Sequence, residues 1–173
     1  IKLATENNRQ AQQQIYTHFS PKMLGVCRQY IKDIHQAEDI MITAFMKVFV
    51  NIKNFENKGS FEGWIRRIMV NECISFIRVQ KKIKYVEDET YFEESFNNIE
   101  SQFSTDDIQS LIDSLPDGYK TVFNLYAIEG FKHKEIASML EINEGTSKSQ
   151  LSHARKMLQI QINKLKNYEY GTE

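Results

Sequence analysis

The chain has 173 residues, 22 Lys and Arg against 23 Asp and Glu, 41% apolar residues and a formal net charge of −1. This balance suits a soluble globular protein of one domain or two small ones. Only seven Gly and two Pro leave little turn chemistry for a sheet, so the composition predicts an all-α fold. No stretch approaches the roughly 18 consecutive apolar residues of a membrane span, and the polar start is unlike a secretion signal, which predicts a cytoplasmic protein without membrane contact.

Residues 10–19 and 22–31 read as two short helices broken at Ser20-Pro21, where Ser caps and Pro opens a first turn. Residues 36–55 form a longer helix with two apolar stripes. One runs Met41, Ala44, Phe45, Val48, Ile52 and the other Ile42, Met46, Phe49, so this helix must be covered on two sides, by its own neighbours or by another protein. Residues 54–60 read as an exposed polar loop, with Ser60 capping the next helix. That helix, 61–82, places Phe61, Ile65, Ile68, Met69, Cys73 and Phe76 on one side and Arg67, Asn71, Arg78, Lys81 and Lys82 on another. A basic face with an Asn and the nearby Trp64 suits a nucleic-acid strand, the cations meeting phosphates and the ring stacking on bases. Cys27 and Cys73 fall within apolar helical patterns and read as buried thiols, not as a disulfide or metal site.

Charge is segregated along the chain. Residues 60–86 carry a net +4, residues 87–107 eight acids and no Lys or Arg, and residues 131–166 again a net +4. Residues 84–104, acidic with scattered aromatics, read as a linker between a first domain, 1–83, and a second, 105–173. The second domain opens with Thr105-Asp106-Asp107 and a helix ending at Pro116, and residues 117–129 form the next helix, with Val122, Phe123, Leu125 and Tyr126 inward, up to Gly130.

Residues 131–155 have the features of a helix-turn-helix. A short helix presents Ile136, Ala137 and Leu140, Glu141-Ile142 turn the chain, and Asn143 caps a second helix. This second helix buries Leu151, Ala154, Leu158, Ile162 and Leu165 and offers Lys148, Ser149, Ser152, His153 and Lys156 on its other side, an arrangement that fits a DNA major groove. An α-hairpin of the same length also serves purely structural ends.

Leu115-Pro116, Tyr119, Val122-Phe123, Glu135-Ile136-Ala137, Leu140, Ile142, Gly145-Thr146, Lys148-Ser149, Leu151 and Ala154-Arg155 resemble the fourth conserved region of sigma-70-family transcription initiation factors. Ala37-Glu38-Asp39-Ile40, Phe45, Lys47-Val48-Phe49, Phe61, Trp64-Ile65, Arg67-Ile68, Asn71-Glu72 and Phe76-Ile77-Arg78 resemble the second. Two such regions and a short linker resemble the compact extracytoplasmic-function (ECF) group.

The resemblance implies two helical domains and a factor that binds core RNA polymerase, through the β′ clamp helices and the β subunit, and directs it to promoter DNA. The long apolar helix would dock on the clamp helices, with Asp39, Ile42, Thr43, Met46 and Phe49 as contact positions. The loop and the helix after it would melt the minus-ten element and hold its non-template strand through Asn57, Lys58, Ser60, Trp64, Arg67, Asn71, Glu72 and Arg78. The helix after Asn143 would read the minus-thirty-five element with Thr146, Lys148, Ser149, Gln150, Ser152, His153 and Arg155. The linker would pass through the polymerase toward the RNA exit path.

The chain departs from the family pattern at Ile42-Thr43, where Gln-Glu or Gln-Asp is usual, and at Ser147 and Gln150, where Val and a basic residue are usual. An apolar clamp contact and weaker autonomous promoter reading follow, by about 1 to 3 kcal/mol where Gln150 stands at a base or phosphate. Two alternatives stay open: a sigma-like subunit recruited by a separate DNA-targeting factor, and a helix-turn-helix regulator acting without polymerase, which predicts a ligand pocket or dimer face in the first half. An anti-sigma factor is a further expected partner. With no phosphate loop, no paired His ligands and no Ser-His-Asp set, His18, His35, His133 and His153 read as surface or capping residues, and neither enzyme activity nor a cofactor or metal is expected.

Overall fold

The structure, a computed structural model, describes residues 1–81 and 105–169. The expected linker, 84–104, lies outside them. The chain divides into two compact units, Ile1–Tyr85 and Val86–Glu173, and every regular element among the described residues is helical.

In the first unit a short α1 (Lys2–Thr5) leads to α2 (Arg9–Arg28), α3 (Ile34–Asn51) and α4 (Phe61–Lys81), with a 3₁₀ turn, Ile52–Asn54, after α3. Asn8 Oδ1 accepts the Ala11 N–H at 3.0 Å and Asp33 Oδ1 the Gln36 N–H at 2.8 Å, so side chains satisfy orphan donors at the starts of α2 and α3. The expected break at Ser20-Pro21 is absent. Pro21 lies inside the single helix α2. Its missing N–H and ring clash cost about 3 kcal/mol, and the burial of Met23, Val26 and Cys27 beyond it rewards continuing the helix. The three long helices pack on one another around Met41, Ala44, Phe45 and Val48 of α3 and Ile65, Met69, Val70 and Cys73 of α4, all 5% exposed or less. Cys27 and Cys73 are buried free thiols. Their mutual hydrogen bond, then burial, holds the Cys73 thiol far above its ordinary range and therefore protonated.

The second unit contains α5 (Thr105–Asp113), α6 (Asp117–Phe123), α7 (His133–Leu140) and α8 (Glu144–Glu169). The helix expected over 117–129 changes character at its middle: Asn124–Ile128 form a π turn, closed by Glu129 N–H donating to the Asn124 carbonyl at 3.0 Å. The wider turn places Asn124 and Leu125 at 0% exposure and leaves Phe123 and Tyr126 half-buried. Ile112, Leu115, Ala154 and Leu158 form the cluster joining α5 to α8, with Tyr119, Phe123 and Met157 against it. Ile162, expected to be buried, is half-buried. Lys120, 2% exposed, is buried because its ammonium donates to Asp113 Oδ1 at 3.0 Å.

Candidate protein-docking and nucleic-acid surfaces

The two stripes of α3 have opposite fates. Met41, Ala44, Phe45 and Val48 form the core, whereas Ile42, Met46 and Val50 are 49%, 63% and 76% exposed. Spaced four residues apart, these three make one line along the helix. Asp39 and Thr43 are exposed beside it, and the Thr43 hydroxyl donates to the Asp39 carbonyl at 2.9 Å, leaving the carboxylate outside that bond. Phe49 is half-buried and stacks on Phe45 with centroids 6.1 Å apart, which ties it to the core. A groove between α3 and α4 runs beside this edge, lined by Asp39, Thr43, Glu72, Phe76 and Val79. Val50 and Val79 were missed from the sequence; continuing the Ile42–Met46 spacing by one turn reaches Val50.

In the loop before α4, Asn57 and Gly59 take positive φ of 55° and 96°. Lys58 pairs with Glu56 at 2.6 Å. Ser60 Oγ accepts the Gly63 N–H at 3.3 Å and the Ser60 carbonyl the Trp64 N–H at 3.0 Å, which starts α4 as expected. Trp64 is half-buried against Phe61 (5.8 Å, 17°) and Phe55 (5.6 Å, 46°), and Phe61 meets Phe19, so the ring fastens the loop to the domain. Arg67 and Asn71 are exposed and Arg78 is half-buried. Glu72 pairs with Lys47 of α3. Of the expected strand-binding residues, Asn57, Arg67 and Asn71 are exposed, Lys58 and Ser60 are exposed but bonded to Glu56 and the Gly63 N–H, and Trp64, Glu72 and Arg78 are half-buried.

The helix-turn-helix turns at Glu141, φ 56°, and restarts at Asn143, whose Oδ1 accepts the Thr146 N–H at 2.6 Å and its hydroxyl at 3.0 Å. Lys148 is exposed and pairs with Glu144 at 2.8 Å; that hydrogen bond and the Lys148 charge hold the Glu144 carboxyl below its usual range. The Ser149 hydroxyl donates to the Thr146 carbonyl at 3.1 Å. Gln150 is half-buried over Gly118 of α6, its Oε1 3.5 Å from where a Cβ there would stand and without a hydrogen bond among the described residues. Ser152 is half-buried, and His153 stacks on Tyr119 at 5.4 Å and 17°. Arg155 is exposed, with Cζ 5.5 Å from the Tyr126 centroid.

Ser147 is 0% exposed, and its Oγ lies 3.0 Å from His133 Nδ1. A hydrogen bond between α7 and α8 therefore stands where the family pattern has an apolar contact. The His133 ring stacks on Tyr126 at 4.7 Å. Its pKa lies below the ordinary value through desolvation and then the Lys148 charge; Glu144 acts the other way and Arg155 adds to the lowering.

Residues 15–83 match the family description sigma-70 region 2, and residues 105–158 match sigma-70, region 4. Among similar proteins, RNA polymerase sigma factor SigV of Bacillus subtilis (strain 168) is 33% identical over 135 residues, covering 78% of this chain and 81% of that one. The ECF RNA polymerase sigma factor SigW of the same organism is 30% identical over 180 residues, covering 95% and 96%. The sigma factor RpoE of Bartonella quintana, solved with the anti-sigma factor NepR, shares the fold at a TM-score of 0.51 and 20% identity, over 87% of this chain and 96% of that one. The chain belongs to the sigma-70 family, in its extracytoplasmic-function group, and is a transcription initiation factor that binds core RNA polymerase and directs it to promoter DNA.

Proposed function

We propose that the Ile42–Met46–Val50 edge of α3, with Asp39 and Thr43 beside it, seats the β′ clamp helices; that Asn57, Lys58, Arg67 and Asn71 hold the separated minus-ten strand; and that the first turns of α8 read the minus-thirty-five element. The observation that carries the reading is the exposure of Ile42 and Met46 on a helix whose other side is the core of its unit. Covering the part of each such side chain that stands in solvent is worth about 1 to 2 kcal/mol, which gives this edge a demand for a partner. The factor supplies no reaction of its own: polymerase performs the chemistry, in the cytoplasm, and an anti-sigma factor, as seen with the Bartonella relative, would act by covering these same surfaces.

Met46→Asp tests the dock. An uncompensated charge pressed into an apolar interface costs several kcal/mol, so core binding should fall at least a hundredfold while helical content stays unchanged. Unaltered core binding by the folded variant would contradict the assignment.

One observation favours a second reading, in which another DNA-targeting factor brings the protein to its promoters. Gln150, where the family pattern has a basic residue, is folded over Gly118, so α8 offers one DNA-contacting group fewer than the family pattern supplies. A recruited factor would tolerate Gln150→Ala when its recruiter is present. A factor reading DNA alone would change preference at one base.

A further inference from the structure

Tyr126 is not among the residues that the sequence points to for DNA recognition, yet three segments of the second unit meet at its ring. The π turn Asn124–Ile128 carries it, and inserted π turns recur at functional sites because the extra residue re-aims a side chain out of α-helical register. His133, the first residue of α7, stacks on the ring at 4.7 Å and 24°. Arg155 of α8 holds its guanidinium carbon 5.5 Å from the ring centroid, a cation–π distance. His133 in turn bonds Ser147 of α8 through Nδ1 at 3.0 Å. Burial, Lys148 and Arg155 disfavour the charged form of His133, so the ring beside the guanidinium is kept neutral, and a neutral stack accommodates one cation without repulsion.

We propose that Tyr126 is a positioning residue for promoter recognition: its ring, presented by the π turn and backed by His133, holds the Arg155 guanidinium in place for a DNA phosphate. Arg155 is exposed on a helix whose Gln150, where a basic residue is usual, is laid over Gly118. A long side chain with free rotamers forfeits affinity when it is ordered on binding, and the ring removes part of that loss beforehand. This inference rests on the reading of α8 as the DNA-binding helix.

The test uses the full chain and a 30-base-pair duplex of mixed sequence, with affinity measured across a salt series. Arg155→Ala should weaken binding and lower the salt slope by about one, as for a single phosphate contact. Tyr126→Leu should weaken binding about three- to fivefold, the range of an exposed cation–π contact, and Tyr126→Phe, which keeps the ring, should restore it. In the Arg155→Ala background Tyr126→Leu should have no further effect, because the two changes remove one interaction. Equal losses from Tyr126→Leu with and without Arg155 would show a structural role and overturn the proposal, as would normal binding by Tyr126→Leu when Arg155→Ala is impaired. No loss from Arg155→Ala would overturn the reading of α8 at that position and the inference with it.

Discussion

Two residues of the second unit show how the same side-chain type is set by its surroundings. Lys120 is buried, and its charge is met by Asp113; Lys148 stands in solvent and pairs with Glu144 one turn earlier. Lys120→Met, which keeps the stem volume, should leave stability within about 1 kcal/mol, whereas Asp113→Ala strands the buried ammonium and should cost about 1 to 3 kcal/mol, reduced because Asp113 is half-exposed. Urea unfolding of both variants checks the asymmetry. His133 supplies a pH test. Its folded pKa is depressed from 6.5, so as pH falls below that value the unfolded chain takes up the proton first and the fold loses stability; above it the contribution is fully present. Lys148, Arg155 and Glu144 all act on this ring. Unfolding midpoints should drop less between pH 7.5 and pH 5 in His133→Gln than in the parent, and equal drops would contradict the assignment. These pairings were not legible in the sequence. Ser147 and Gln150 stand out there as departures from a pattern, but that one is bonded to His133 and the other is laid over Gly118 depends on how the helices cross.

At the scale of the element, patterning was readable where one periodicity ran unopposed. The double stripe of α3, the Ser60 start of α4 and the Asn143 restart of α8 all follow from residue spacing and capping chemistry. Reading failed where tertiary packing overrides a local signal. Ser20-Pro21 looks like a helix boundary, yet α2 runs through it because Met23, Val26 and Cys27 are buried beyond. Pro21→Ala should therefore stabilise the protein by about 1 to 3 kcal/mol, the restored hydrogen bond being partly offset by a freer unfolded chain. Loss of stability would show that Pro21 is required by the packing. The π turn left no mark in the sequence either, since the apolar residues around it suit an α-helix equally well. Trp64 has a similar lesson. Its spacing placed it beside the basic face, and in the fold it stacks within Phe55 and Phe61. Trp64→Ala should cost about 1 to 3 kcal/mol of stability, judged by calorimetry, less than for a fully buried aromatic because the ring is half-buried.

For the whole molecule, the family was legible because two motif sets stand in the right order, and the helical class because composition leaves nothing for a sheet. What composition and pattern do not decide is whether the factor finds promoters by itself. On the proposed reading, the exposed edge of α3 serves polymerase and the exposed cations of the first unit the melted strand, while along α8 the exposed cations Lys148 and Arg155 would meet DNA phosphates. Lys148→Ala should weaken binding to every duplex alike and lower the salt slope by about one, and a change confined to one sequence would contradict a phosphate role. The most direct measurement is run-off transcription from fragments of the encoding genome, using purified core polymerase and this protein, with and without cell extract. Strong initiation at discrete sites by the purified pair alone is the expected result. Core binding without specific initiation until extract is added would contradict autonomous promoter recognition.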